Sequence, residues 1–253
     1  MTAPARSSAK AGAWRQAVSR ALAALAASTA LALPCTAYAQ FAATLGIESV
    51  NRYRGVGTDD VGPVVRASAM ADSALGAYGG ISGLWRTRDA GLAGADVLVG
   101  WSGRLNALAG LAGLSPGWAW DAALHRNHYG QDGKDFSEAM VGLIAPDWTL
   151  RSWYSPHYFG GDMRTFYTEL DASHAFDEHW HAFGHVGWLH YGRGRYDEAR
   201  IPDRTDTLAG IGYALSSWDF RLARDGLVAG SPRSDFDARR RRAAWILGAS
   251  VAF

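Results

Sequence analysis

The chain has 253 residues, of which 48% are hydrophobic, 12% aromatic and 19% charged, and its formal net charge at pH 7 is +1. The high aromatic content and small net charge argue against a disordered chain, and this charge gives no indication of nucleic-acid binding. After residue 40, no apolar run reaches the roughly 18–20 residues that a membrane-spanning helix needs, which argues against a helical membrane protein.

The first 39 residues predict a secretory signal peptide. This segment contains no Asp or Glu, and an apolar stretch from Ala21 to Leu33 follows four basic residues, Arg6, Lys10, Arg15 and Arg20. It ends in Ala37-Tyr38-Ala39, a small-x-small cleavage site. Cleavage after Ala39 leaves residues 40–253, with 21 basic and 24 acidic side chains, and removes Cys35, the only cysteine. We therefore expect an exported protein without disulfides or thiol chemistry.

From residue 41 onward, large apolar residues alternate with small or polar ones, which is typical of β-strands. Near the start, Phe41, Ala43, Leu45 and Ile47 oppose Thr44, Gly46 and Glu48. The last strand has the same period, with Trp245, Leu247, Ala249, Val251 and Phe253 on one face. A C-terminal Phe on such a strand is typical of an outer-membrane barrel and predicts recognition by the barrel assembly machinery.

The pattern predicts an all-β, antiparallel transmembrane β-barrel of about twelve strands, with ten as the alternative. A β-sandwich would show the same alternation, but tight turns at Pro146-Asp147, Asp177-Glu178 and Ser216-Ser217 alternate with longer loops, as in membrane barrels. The strands are predicted to begin near Phe41, Val64, Ala77, Gly94, Trp118, Phe136, Trp148, Thr165, Trp180, Asp206, Trp218 and Arg242.

Aromatic residues also favour the barrel. Trp118, Trp148, Trp180 and Trp218 each follow a connection on the same predicted rim, where Trp settles at a membrane–water interface. A second belt is predicted at the opposite strand ends from Tyr53, Tyr129, Tyr154 and Tyr191.

Three sequence runs resemble the TorF-type porin family, whose members are also described as Gcw-type outer-membrane proteins. They are Arg52-Tyr53-Arg54-Gly55, Glu138-Ala139-Met140-Val141-Gly142-Leu143 and Tyr154-Ser155-Pro156-His157-Tyr158-Phe159-Gly160. The chain departs from the family pattern at Val50-Asn51 and at His157. The resemblance implies a porin barrel from about Phe41 to Phe253, with no catalytic residues and no known substrate.

If the apolar face meets lipid, the opposite face lines a lumen, and rings of charge there select solutes by field and size. The predicted pore-lining residues are Glu48, Arg52, Arg66, Asp96, Arg104, Asp121, His125, Glu138, Arg151, Glu169, Asp171, His181, His185 and Arg221. Opposed charges in a narrow barrel also allow the alternative of a plugged lumen. Tyr158 and Phe159 either fold inward as a constriction or cap the rim.

Other sites carry weaker indications. Arg239, Arg240, Arg241 and Arg242 predict either lipopolysaccharide phosphate contacts or a solvated loop. His179 and His181 are close enough along one strand face to share a metal ion, but no carboxylate obviously converges on them, so we predict no metal. Ser155 near His157 and Ser173 beside His174 are the only candidates for a nucleophile and its base, and no hydrolase motif supports either pair.

The sequence therefore favours a bacterial outer-membrane porin, exported through the periplasm, that passes small hydrophilic solutes without a cofactor or enzymatic activity. The alternative is a plugged structural or adhesive barrel that binds lipopolysaccharide. A barrel enzyme that modifies lipid is the least favoured function.

Overall fold

The computed structural model describes residues 40–57, 62–105, 117–129, 134–192, 203–229 and 243–253. The predicted signal peptide and the Arg239–Arg242 run lie outside these ranges. A search of the described residues for a helix long and apolar enough to cross a membrane finds none.

Twelve strands of the described chain form one closed antiparallel barrel, which confirms the predicted fold and decides between ten and twelve strands. In chain order they are β1 (Gln40–Glu48), β4 (Val64–Asp72), β5 (Ala77–Arg86), β6 (Leu92–Arg104), β7 (Ala119–Tyr129), β8 (Lys134–Ile144), β9 (Trp148–Ser155), β10 (Thr165–Ala175), β11 (Trp180–Tyr191), β12 (Arg204–Leu215), β13 (Trp218–Ala229) and β14 (Trp245–Ala252). Each begins within three residues of its predicted start. The remaining strands, β2 (Arg52–Tyr53) and β3 (Val56–Gly57), pair only with each other.

Every barrel strand pairs with its neighbours in sequence, and β1 closes the ring against β14. This seam is short, since five residue pairs join β1 to β14 whereas nine join β1 to β4. Backbone hydrogen bonds in both directions between Ala43 and Phe253 extend it by one further pair.

The registers place the apolar face of each strand outside. Leu124, Val141 and Leu247 are each more than 60% exposed, although a water-soluble core would bury them. The opposite faces hold polar and small residues, such as Asp121 and His125 on β7 and Glu138, the register partner of His125, on β8. Apolar outside and polar inside is the arrangement of a transmembrane barrel.

The two ends of the barrel differ. One end, hereafter the short-turn rim, holds the tight turns 73–76, 145–147, 176–179 and 216–217. The first residue of β1 and the last residue of β14 lie at the same end. Trp148, Trp180 and Trp218 are the first residues of their strands at this rim, and Trp118 packs edge-on to Trp148 with ring centroids 5.0 Å apart. The opposite end is the long-loop rim.

The predicted tyrosine belt at the long-loop rim is wrong in three of its four members. Tyr53, Tyr129 and Tyr191 pack inward against a buried cluster, while Tyr154 stacks outside on Phe166 at 4.9 Å. The inward packing follows from a segment after β1 that folds into the barrel and gives these rings an apolar surface to cover.

Candidate functional site: the lumen and its inner hairpin

The chain after β1 turns into the barrel instead of out into a loop. Strands β2 and β3 form a two-stranded hairpin, hereafter the inner hairpin (residues 51–57), whose turn is Arg54-Gly55. Both turn residues have positive φ, 49° and 72°, as a two-residue hairpin turn with the twist of its strands requires. Glycine adopts this geometry freely, whereas for Arg54 the surrounding contacts must hold it.

Arg54 anchors the inner hairpin to the wall of β8. Its Nη2 donates to both carboxylate oxygens of Glu138, at 2.8 and 3.0 Å, and the two side chains are only 6% and 2% exposed. The guanidinium also lies over the ring of Tyr167, 4.4 Å from its centroid. A buried charge pair with additional ring contacts is costly to break, because the surviving charge would be left without a partner.

The groups around Arg54 keep its guanidinium charged. Burial lowers the pKa of Arg54, but Tyr53, Tyr158 and Glu138 more than reverse that effect, and the net pKa is raised. Burial raises the pKa of the Tyr53 hydroxyl well above its usual value, so this group stays a neutral phenol that donates to Glu138 at 3.3 Å.

A second arginine ties the inner hairpin to another part of the wall. Nε of Arg52 lies 2.7 Å from Oδ2 of Asp225, a buried carboxylate on β13. Around the ring β8 and β13 are five strands apart on one side and seven on the other, so the two anchors are nearly opposite. The inner hairpin therefore crosses the lumen.

Aromatic side chains fill the space around the inner hairpin on the β8–β11 side. The aromatic cluster has a buried centre of Phe136, Tyr158, Tyr167 and Leu189, against which Tyr53, Tyr129, Trp153, Phe159, Met163 and Tyr191 pack. Phe136 and Leu189 are at most 1% exposed. Tyr158 and Phe159, on the single 3-10 turn after β9, thus lie in the lumen filling instead of capping the rim.

Below the inner hairpin the lumen is an open cavity of about 780 Å³ that extends to the turn 145–147 at the short-turn rim. The registers put thirteen of the fourteen predicted pore-lining residues on inward strand faces, and Arg52 is on the inner hairpin instead of a barrel strand. Eleven contribute to the cavity wall; the other three, Arg104, Asp121 and Arg151, do not.

Most of these charges have an oppositely charged partner. His125 contacts Asp96 at 3.1 Å, Arg151 lies 3.7 Å from Asp121, and Asp219 lies between Arg221 and His181. The cavity lining carries eight carboxylates against four arginines and three histidines, so acidic groups outnumber the permanently charged basic groups.

A cluster of titratable groups surrounds His185 on β11. Its Nδ1 lies 2.8 Å from Oδ1 of Asp171 on β10, and its Nε2 lies 2.9 Å from Oδ2 of Asp206 on β12. Tyr167 donates to Asp206 at 3.1 Å, and Glu169 accepts a bond from Trp153 Nε1 at 3.0 Å. We call Glu169, Asp171, His185 and Asp206 the His185 cluster.

Five residues important to this arrangement were not among the predicted site residues: Arg54, Trp153, Tyr167, Asp206 and Asp225. Asp206 and Asp225 could have been predicted from the sequence. When the alternation of inward and outward residues is continued by two or four residues along β12 and β13, both carboxylates fall on the inward face. The roles of Arg54 and Tyr167 depend on how the inner hairpin folds, which no local pattern encodes.

The sequence candidates for metal binding and catalysis are not assembled. His179 turns its Nδ1 to the carbonyl of Ala214, 3.1 Å away. The hydroxyl of Ser155 is buried and donates to the carbonyl of Ser137 at 3.0 Å. Ser173 and His174 point to opposite faces of β10, as their neighbouring positions in the register require.

Comparisons with known proteins identify the fold. No protein-family profile matches the chain, and no curated protein sequence matches it. Among solved structures, the chain is similar to the KdgM porin (TM-score 0.51, 10% identity, 84% of this chain and 99% of that chain) and to the NanC porin (TM-score 0.53, 12% identity, 85% and 99%). A KdgM porin in complex with disordered oligogalacturonate gives a TM-score of 0.50 at 8% identity, over 85% and 99%. At these identities the likeness establishes a shared twelve-strand barrel fold, and the TorF-type resemblance stays a prediction.

Proposed function

We propose that this protein is an outer-membrane channel through which small hydrophilic solutes diffuse passively. The observation that supports this most directly is the charged cavity of about 780 Å³ inside a barrel whose exterior is apolar. A membrane protein that serves only as an anchor has no need for a water-filled, charged interior of this size. The similar solved structures are porins by name, which agrees with this proposal.

The inner hairpin would be the constriction of this channel. It crosses the lumen between Glu138 and Asp225, and its two arginines are paired with these carboxylates, so a solute passing between the rims meets a narrowing lined by paired charges and aromatic rings. Below it, carboxylates and histidines line the wall. Both signs are present but carboxylates outnumber arginines, so we expect small neutral and cationic solutes to pass more readily than anions of the same size.

The test is conductance of the refolded protein in planar bilayers, followed by liposome swelling with sugars, amino acids and phosphate. We expect discrete conductance steps and faster swelling with small neutral solutes than with oligosaccharides. A complete lack of conductance over a range of voltages and salt concentrations would contradict the proposal.

The same hairpin favours a second candidate, a permanently plugged structural barrel. The fully buried side chains of the aromatic cluster are its specific support. One measurement distinguishes the two candidates, the conductance after removal of residues 51–57. A plugged barrel would conduct only after this deletion, whereas a channel would conduct before it and have a larger conductance after it.

The proposed location requires export by the predicted signal peptide and insertion by the barrel assembly machinery, with Phe253 as the recognised terminus. We also propose that Arg239, Arg240, Arg241 and Arg242 bind lipopolysaccharide phosphates. Replacing all four with Gln should lower the lipopolysaccharide retained during purification, and unchanged retention would refute the contact.

A further inference from the structure

The His185 cluster has the composition and geometry of a cation site. One ligand atom each from Glu169, Asp171 and His185 lie within 4.8 Å of one another, and all three residues line the lumen cavity. Asp171 and His185 are directly opposite in the β10–β11 register, and Glu169 is two positions along on the same face. Ligands around a four-coordinate zinc ion are roughly 3.4 Å apart, so small side-chain rotations would close the set.

The charges within the cluster do not balance. Three carboxylates, Glu169, Asp171 and Asp206, surround one imidazole, which supplies at most a single positive charge. Arg151 is the cross-strand partner of Glu169, but its Nε lies 3.7 Å from Asp121 instead. In its neutral form His185 has only one N–H, so one of its nitrogens would face a carboxylate oxygen with no proton between them.

The surrounding groups already orient the imidazole as a metal ligand. Histidines that bind metal usually donate their other ring N–H to a carboxylate, which fixes the tautomer and the ring plane. Here Nε2 faces Asp206, which is buried and also accepts from Tyr167. When the N–H on Nε2 donates to Asp206, Nδ1 is the lone-pair nitrogen and is directed toward Asp171 and the lumen. Glu169 is held in turn by Trp153.

We infer that the lumen wall binds one divalent transition-metal cation of the zinc type, held by Nδ1 of His185 and by carboxylate oxygens of Asp171 and Glu169. Asp206 acts as a positioning residue that orients the imidazole. The remaining coordination positions face the cavity and are filled by water or by a polar group of a passing solute. Mixed nitrogen and oxygen donors favour zinc over calcium or magnesium, which prefer sites made only of oxygen.

The test is calorimetric titration of the refolded, untagged barrel with Zn²⁺, with Ca²⁺ and Mg²⁺ as comparison ions. We expect one Zn²⁺ per barrel and much weaker binding of the other two. His185→Gln should abolish that binding, and Asp206→Asn, which replaces the carboxylate that orients the imidazole with a neutral amide, should weaken it by about 10- to 100-fold.

His181→Gln is the matched control, because His181 lies on the same face of the same strand and has its own acidic neighbour, Asp219. Zinc binding should survive this change. Circular dichroism of each variant shows that the barrel has formed, and Glu169→Gln provides a second test that leaves both His185 bonds in place. The inference is overturned if the wild-type barrel binds no zinc, or if His185→Gln binds it as tightly as His181→Gln.

Discussion

Replacing Arg54 with Met should release the inner hairpin from the lumen wall. The substitution keeps a long apolar side chain over Tyr167 but leaves the carboxylate of Glu138, 2% exposed, without its bidentate partner. Removing one member of a buried ion pair costs about 3–5 kcal/mol. At about 1.4 kcal/mol per factor of ten, the docked hairpin loses roughly 140- to 3,700-fold in relative population.

Two measurements can detect this loss of the docked hairpin. In planar bilayers the Arg54→Met barrel should spend more time in a larger conductance state, because the inner hairpin no longer fills the constriction. In urea, the free energy of unfolding should fall, by less than the full 3–5 kcal/mol if the hairpin undocks before the barrel unfolds. The double variant Arg54→Met with Glu138→Gln should recover most of the stability, since the unpaired buried charge is gone.

Arg126→Met is the matched control. Its ion pair with Asp135 is on the outside of the barrel and both side chains are at least 44% exposed, so the change should cost about 0–1 kcal/mol and leave the conductance unaltered. If Arg54→Met has the conductance and the urea midpoint of this control, the inner hairpin is not held by Arg54 and the reasoning fails.

Three further predictions concern the barrel wall and a turn. Leu124→Arg, on the apolar exterior, should destabilise the barrel in lipid vesicles by about 2–4 kcal/mol, measured by urea titration. Gly187→Ala should lower the free energy of unfolding by about 1–3 kcal/mol, measured by urea titration, because its Cβ would collide with the buried hydroxyl of Tyr167. The carboxylate of Asp177 accepts hydrogen bonds from the backbone N–H groups of Trp180 and His179, and these bonds lower its pKa. The ionised carboxylate therefore stabilises the turn at pH values above the unfolded pKa of about 3.9. This stabilisation is lost as the pH falls through the lower pKa of the folded state. The stability difference between wild type and Asp177→Asn should therefore be constant from pH 5 to 7, taken as roughly one unit or more above the unfolded pKa, and shrink below about pH 4.

Each of these has a control with a different expected result. Leu124→Met keeps the exterior apolar and should be neutral. Gly184→Ala faces outward with its nearest contact at 3.7 Å, so a loss equal to that of Gly187→Ala would show that the Tyr167 contact is irrelevant. Glu178→Gln changes an exposed neighbour of Asp177, and a pH profile equal to that of Asp177→Asn would assign the effect to general turn charge.

The barrel was predictable from local pattern because lipid and lumen impose a strict period of two on every strand. Strand starts such as Val64, Ala77, Trp148 and Thr165 were predicted at the observed residue. The inward direction of charged side chains followed from the same period, without knowledge of which strands are neighbours.

The inner hairpin was not predictable in this way. Arg54 and Glu138 are 84 positions apart, and nothing local distinguishes an arginine that turns inward from one in a solvated loop. The tyrosines illustrate the same limit: Tyr53, Tyr129 and Tyr191 were assigned to a membrane interface by residue type, whereas the folded hairpin gave them a protein surface to cover. Contacts made by tertiary folding override the preference of a single residue.

The short seam between β1 and β14 bears on the order in which the barrel forms. Thr44 and Ala252 pair although they are 208 positions apart, whereas neighbouring strands are joined by connections of a few to about fifteen residues. Bringing such distant segments together costs about 2 kcal/mol more in chain entropy than closing a fifteen-residue loop. The hairpins should therefore form first and the ring should close last, so the growing sheet has two free edges, at Gln40–Glu48 and Trp245–Ala252, until the final step. Any factor that protects those edges during insertion would act on this last step of barrel formation.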